Sequence, residues 1–170
     1  VAVIIGFTDI KNLQINYRTS GPAVYAVEDE YQIVWTTKNQ AMAWVEIDGI
    51  KYYDEIAGSV KSSETVHKVT VPQSALDSAK SYTISSKTMI NEEAYSALRG
   101  RTFSKTYTFR PVDGSDGVQY YTVSDTHNNN KKAISASSYY GQDTDFVVLA
   151  GDVVSYVDNR YDAERIINLA

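Results

Sequence analysis

The chain contains no cysteine, which excludes a disulfide framework, a thiolate zinc site and a thiol nucleophile. Histidine is nearly as scarce. The 170 residues hold two, His67 and His127, and these bound the imidazole ligands or bases the chain can offer. No apolar run approaches the roughly 20 residues of a membrane-spanning helix, and no basic stretch backed by a hydrophobic one marks a signal peptide. Positive charge is also in short supply. Sixteen Lys and Arg against 21 Asp and Glu leave a net charge of −5, whereas gripping a nucleic-acid backbone requires a basic face. No such partner is expected.

What is present suits a folded protein. At 43% hydrophobic and 22% charged residues the chain is too apolar for disorder and should bury a core. Its length allows one ordinary domain, or a small domain and part of another. It begins at Val1, not Met, and runs straight into an apolar segment at 1–7, so it reads as a processed or trimmed product.

Periodicity divides the chain in two. Residues 31–37 and 43–47 are rich in β-branched and aromatic side chains and stop at turn formers, Lys38-Asn39 and Asp48-Gly49. Further strand-like runs occupy 51–54, 65–71, 82–90 and 105–109. Within 65–71, Val66, Lys68 and Thr70 share one face and the remainder the other, as in a half-buried strand. Strands at this spacing, with no helical period between them, predict an antiparallel β-sandwich of the fibronectin-III or immunoglobulin type over 1–112. The stretch 110–117 then gathers Pro111, Asp113, Gly114, Ser115, Asp116 and Gly117, and reads as the junction between units. Over 113–170 the pattern becomes a strand at 118–123, a polar loop, a helix at about 131–140, an apolar strand at 146–150 and a second helix from near Tyr161. Strand, crossover and apolar strand predict a βαβ unit with a buried parallel sheet.

Each of the two predicted parallel strands ends in an aspartate, Asp125 in one and Asp152 in the other. Ligands in open α/β sheets gather beyond the carboxyl ends of the strands, and neighbouring strands lie about 4.8 Å apart. The two carboxylates can therefore meet at one metal cluster. His127, two residues after Asp125 where strand alternation relaxes into loop, can join them. Carboxylate with imidazole suits Zn, Fe or Mn better than Ca or Mg. Gly151 leaves room beside the backbone for an ion and its waters.

The run Tyr121, Thr122, Val123, Ser124, Asp125, Thr126, His127, followed by Phe146 to Gly151 and Asp152, resembles the opening of the calcineurin-like metallophosphoesterase family, whose pattern begins Asp-x-His and continues Gly-Asp. The resemblance implies a four-layer α/β sandwich and two divalent metal ions, with Asp125 and His127 on the first and Asp152 bridging both. It also implies hydrolysis of phosphate mono- or diesters by metal-activated water. Upstream, Tyr31 to Trp35, Val66 to Pro72 and Tyr82 to Ile84 look like the fibronectin-III-like domain that precedes the catalytic domain in purple acid phosphatase relatives. That layout implies a secreted, periplasmic or cell-surface location.

The match departs from the family at two points. The purple enzymes lack a histidine two after the first aspartate and place a metal-binding tyrosine three after the second. Here His127 is present and Ser155 stands at the later position, with Tyr156 one further on, so no tyrosinate charge transfer and no purple colour is expected. The family also continues with an Asn-His motif and later histidine motifs that complete the second ion. None follows Asp152, and Asn159 precedes an arginine. The chain is accordingly expected to be the N-terminal portion of such an enzyme, inactive alone, with strands owed by a missing segment or a second chain. The uncovered apolar faces are expected at residues such as Val147 and Leu149.

Several residues admit two readings. Asn128, Asn129 and Asn130 can cap the following helix, and Asn128 can also reach a bound phosphate. Trp35 and Trp44 fit packing between sheets, or stacking on a sugar ring. His67 fits a sandwich strand. A different class of function is a non-catalytic sandwich module that binds glycan or protein and carries an incomplete phosphoesterase segment.

Overall fold

The computed structural model describes residues 18–91, 98–140 and 143–169. The apolar segment at 1–7 lies outside them. The chain divides into two compact units between Phe109 and Arg110, just ahead of the Pro- and Gly-rich stretch.

The first unit is built mainly of strands: β1 (Ala23–Val27), β2 (Glu30–Ile47), β3 (Ile50–Tyr53), β4 (Glu55–Ile56), β5 (Ser59–Val60), β6 (Glu64–Pro72), β7 (Ser81–Asn91) and β8 (Leu98–Thr108), with a short helix α1 (Gln73–Ala79) between β6 and β7. Its pairings are antiparallel. The two strands expected at 31–37 and 43–47 are one 18-residue strand. Its register with β6 shifts between Thr36 and Ala41. Before that shift β2 pairs with β1 and β6, and beyond it with β3 and β7. Lys38-Asn39 thus lies at a register shift inside the strand, where β2 changes neighbours within one six-stranded sheet and keeps a single pairing to β6 at Ala41 beyond it. Asp48-Gly49 is a true reversal: φ is 47° and 83° there, as a tight hairpin of two left-handed residues requires.

Along β2, alternate residues from its two halves enter one interior. Ile33, Trp35, Ala43, Val45 and Ile47 join Val69, Val71, Tyr82 and Ile84 in one buried cluster, and each fully buried side chain of Val or Ile size contributes about 1.5–3 kcal/mol. Trp35 and Trp44 are both buried, as a packing role requires. Trp44 alternates with Ala43 and Val45, so it lies on the other face of its strand. There it is buried beside the Tyr53 ring, 6.1 Å between centroids, with Lys51 Nζ 5.7 Å from its own. The helix α1 was not expected. Its Leu76 is wholly buried in the same cluster, and seven residues are too few to display a 3.6-residue period.

The second unit comprises β9 (Tyr120–Val123), α2 (Lys131–Tyr140), β10 (Phe146–Leu149) and α3 (Arg160–Ile167). β9 and β10 pair in parallel, with Val123 opposite Leu149. At their N-terminal ends Asp145 N donates to Gln119 O at 2.7 Å and Asp145 Oδ2 accepts from Gln119 N at 2.9 Å. Arg110 adds a hydrogen bond to Thr144 O at 2.6 Å. Val123, Val153 and Leu169 form a small core to which Tyr121, Val147, Leu149, Ala133 and Ile166 add. Val147 and Leu149, expected as uncovered apolar residues, are half-buried against this core. The open face carries their neighbours instead, since sides alternate along a strand: Tyr120, Phe146 and Val148 are 58%, 38% and 37% exposed, and the Tyr120 and Phe146 rings stack at 5.2 Å.

Candidate metal centre

The parallel pairing carries Asp125 and Asp152 to the same end of the two strands. Beyond the strands the loops stay zipped: Ala150 N donates to Val123 O at 2.8 Å, Asp125 N to Gly151 O at 3.1 Å, His127 N to Asp152 O at 3.0 Å and Asn128 N to Val153 O at 3.2 Å. Along this zip the backbone is repeatedly left-handed. φ is 54° at Asp125, 43° at His127, 71° at Asn128, 47° at Asp152 and 115° at Gly151. Asp, Asn and His tolerate this region better than other L-residues, and backbone strain of this kind clusters at functional sites.

The left-handed turns bring the side chains together. One ligand atom each from Asp125, His127 and Asp152 lies within 4.8 Å of the others, and all three residues are exposed. Two carboxylates offset the charge of a divalent cation while a neutral imidazole adds a borderline donor, a set that fits Zn, Mn or Fe. Exposure leaves the remaining coordination positions to solvent, substrate or further protein donors. At Gly151 a Cβ would meet no atom within 4 Å, and the φ of 115° itself favours glycine.

A cleft of about 500 Å³ opens beside Asp125, lined by Ser124, Thr126, Asn129 and Lys132 among others. Asn128, expected as a substrate contact, is not among its lining residues; the Asn128 amide donates to Ser155 Oγ at 3.2 Å. Asn130 donates its amide to Arg165 O at 3.2 Å. The Thr126 hydroxyl faces two acceptors, Val153 O at 2.9 Å and Asn130 Oδ1 at 2.8 Å, which share its one proton. In the other unit His67 is wholly buried, with Nε2 2.8 Å from Thr37 Oγ1 and Nδ1 3.6 Å from Asp54 Oδ2.

No family model matches the sequence, and no curated protein matches it either. Among solved structures, the chain is similar to a bacterial immunoglobulin-like domain from the M. primoryensis ice-binding adhesin. The two share 12% identity at a TM-score of 0.34, over 55% of this chain and 97% of that one. A likeness this shallow adds nothing to the strand pairing already described.

Proposed function

We propose that residues 110–170 open the catalytic domain of a metal-dependent phosphoesterase of the calcineurin-like kind, which hydrolyses phosphate mono- or diesters, and that a fibronectin-III-like sandwich precedes it. One observation carries the reading: Asp125, His127 and Asp152 present their ligand atoms within 4.8 Å of one another at the carboxyl ends of adjacent parallel strands. Beyond-strand carboxylates held this way are what a ligand site in an open α/β sheet is built from. For the sandwich, support comes from the all-antiparallel pairing around β2, with β1 and β6 along its first half, β3 and β7 along its second, and β8 on β7.

When bound, a pair of divalent ions (Zn, Mn or Fe) supplies an activated water and positive charge against the phosphoryl oxygens. Within this chain, Asp125, His127 and Asp152 would hold the ions. Lys132 and Asn129, which line the cleft beside Asp125, are placed to orient a substrate phosphate by charge and hydrogen bonding. The remaining ligands and strands come from a downstream segment or a second chain.

The test compares this chain with one extended through the downstream sequence, on a generic aryl phosphate with added Mn or Zn. Turnover is expected from the extended protein, with Asp125→Asn and Asp152→Asn each lowering it at least a hundredfold, on the order seen when an essential catalytic group is removed. The short chain is expected to be inactive. Equal metal-dependent turnover by the short chain, or full activity in the Asp152→Asn variant of the extended one, would refute the proposal.

A further inference from the structure

We propose that Thr126 and Asn130, which offer no ligand atoms to the cluster, are positioning residues that set the spacing of the metal donors; the inference rests on the metal-site reading above. Two of the donors, Asp125 and His127, ride on the loop after β9, and the third, Asp152, on the loop after β10. Their separation is therefore decided by how those two loops are fastened. Asn128 to Ser155 is one side-chain bridge between them, but it is exposed. The other is Thr126, between the two ligands of the first loop, and its hydroxyl is part-buried against Val153 O at 2.9 Å.

The same hydroxyl also faces Asn130 Oδ1 at 2.8 Å. The amide orientation follows from its far end: Nδ2 must face Arg165 O, 3.2 Å away, because a carbonyl accepts and cannot donate. Asn130 O in turn accepts from Ile134 N at 2.9 Å in the first turn of α2. One hub thus joins both ligand loops, the start of α2 and, through Arg165, the last turn of α3. It is anchored rather than floating. Val153 is buried with Val123 and Leu169, and its carbonyl accepts from Thr126 and also from Asn128 N at 3.2 Å.

The physical consequence is specific to the site. Asp125, His127 and Asp152 sit on exposed, left-handed backbone, a conformation that relaxes unless its surroundings enforce it. Removing the Thr126 hydroxyl takes that donor from Asn130 Oδ1 and leaves Val153 O with Asn128 N; the backbone bonds of the zip remain, but its part-buried side-chain tie is lost and the ligand loops are held less tightly. Outer partners that orient metal ligands typically cost 10–100-fold in affinity when lost. α3 enters the same argument as the far support of Asn130.

The experiment titrates the 170-residue chain and its Thr126→Val and Thr126→Ser variants with Co(II), following the d–d absorption, and measures amide hydrogen exchange in parallel. Thr126→Val is expected to weaken cobalt binding about 10–100-fold, and Thr126→Ser, which keeps the hydroxyl, to restore it. Exchange should quicken in Thr126→Val at the amides of Asp125, His127 and Asn128 but not at Ala150, whose bond to Val123 O lies on the strand side of the hub. Wild-type affinity in Thr126→Val, or no rescue by Thr126→Ser, overturns the positioning role and leaves the metal site standing. Equal acceleration at Ala150 overturns it too, because Thr126 would then support the whole unit. Failure of the wild-type chain to bind cobalt overturns the metal-site reading and the positioning role with it.

Discussion

At the scale of the residue, Asp54 concentrates the charge of the sandwich. It is wholly buried, with Lys61 Nζ 3.1 Å from Oδ1, His67 Nδ1 3.6 Å from Oδ2, and Lys68 N donating to Oδ2 at 3.3 Å. Burial works against its ionisation, but the close approach of His67 and Lys61, the Lys61 charge and the Lys68 amide together hold its carboxyl below the ordinary range. A folded-state value below the unfolded one means the stabilisation is fully present above the unfolded value of about 3.9. It is lost as pH falls through the folded value. Thermal unfolding followed by tryptophan fluorescence should therefore show a midpoint that drops as pH is taken below about 4. In Asp54→Asn that acid step should shrink, and stability at neutral pH should fall by about 3 kcal/mol, because Lys61 loses its buried anion. An acid profile in the variant that superimposes on that of the wild type would remove Asp54 from this role. His67 was legible as a strand residue from its place in the 65–71 alternation. Its partnership with Asp54 and Thr37 was not, since nothing in local pattern links those positions.

At the scale of the element, α1 and the long β2 show how packing overrules local signals. α1 is short, its last residue is followed by Lys80 in left-handed backbone at φ 54°, and isolated helices of this length do not hold in water. It persists because Leu76 enters the core and Asp77 Oδ1 accepts from Tyr31 OH at 3.0 Å. Leu76→Ala should accordingly cost the sandwich about 2–5 kcal/mol in urea denaturation. A loss well under 1 kcal/mol would mean that the helix is an ornament rather than part of the core. The reverse case is Lys38-Asn39, whose turn chemistry is real but is spent on a register shift inside β2. Helix α2 and strands β9 and β10 were legible because their periods are long or their apolar runs unbroken, and the hairpin at Asp48-Gly49 because two left-handed residues in sequence have few other uses.

At the scale of the whole molecule, the two units bury their strands unequally. The first unit buries the larger core cluster, whereas β9 and β10 are packed on one face and leave Tyr120, Phe146 and Val148 open. Parallel sheets are ordinarily covered on both faces. Amide exchange should therefore be slower in β2 and β6 than in β9 and β10. Equal protection in the two units of the short chain would show that one covered face suffices. The sequence by itself determined which side chains could act as metal donors, where the strand period gives way to strand, crossover and strand, and that Asp125 and Asp152 close their strands. These are properties of residue identity and near-neighbour spacing. Only the tertiary structure decided that β2 runs unbroken through Lys38-Asn39, that Val147 and Leu149 rather than Tyr120 and Phe146 face the helices, and that Thr126 and Asn130 meet between the two ligand loops. Each of these depends on contacts between segments far apart in the chain, and it is those contacts that hold Asp125, His127 and Asp152 in a backbone conformation they would not keep alone.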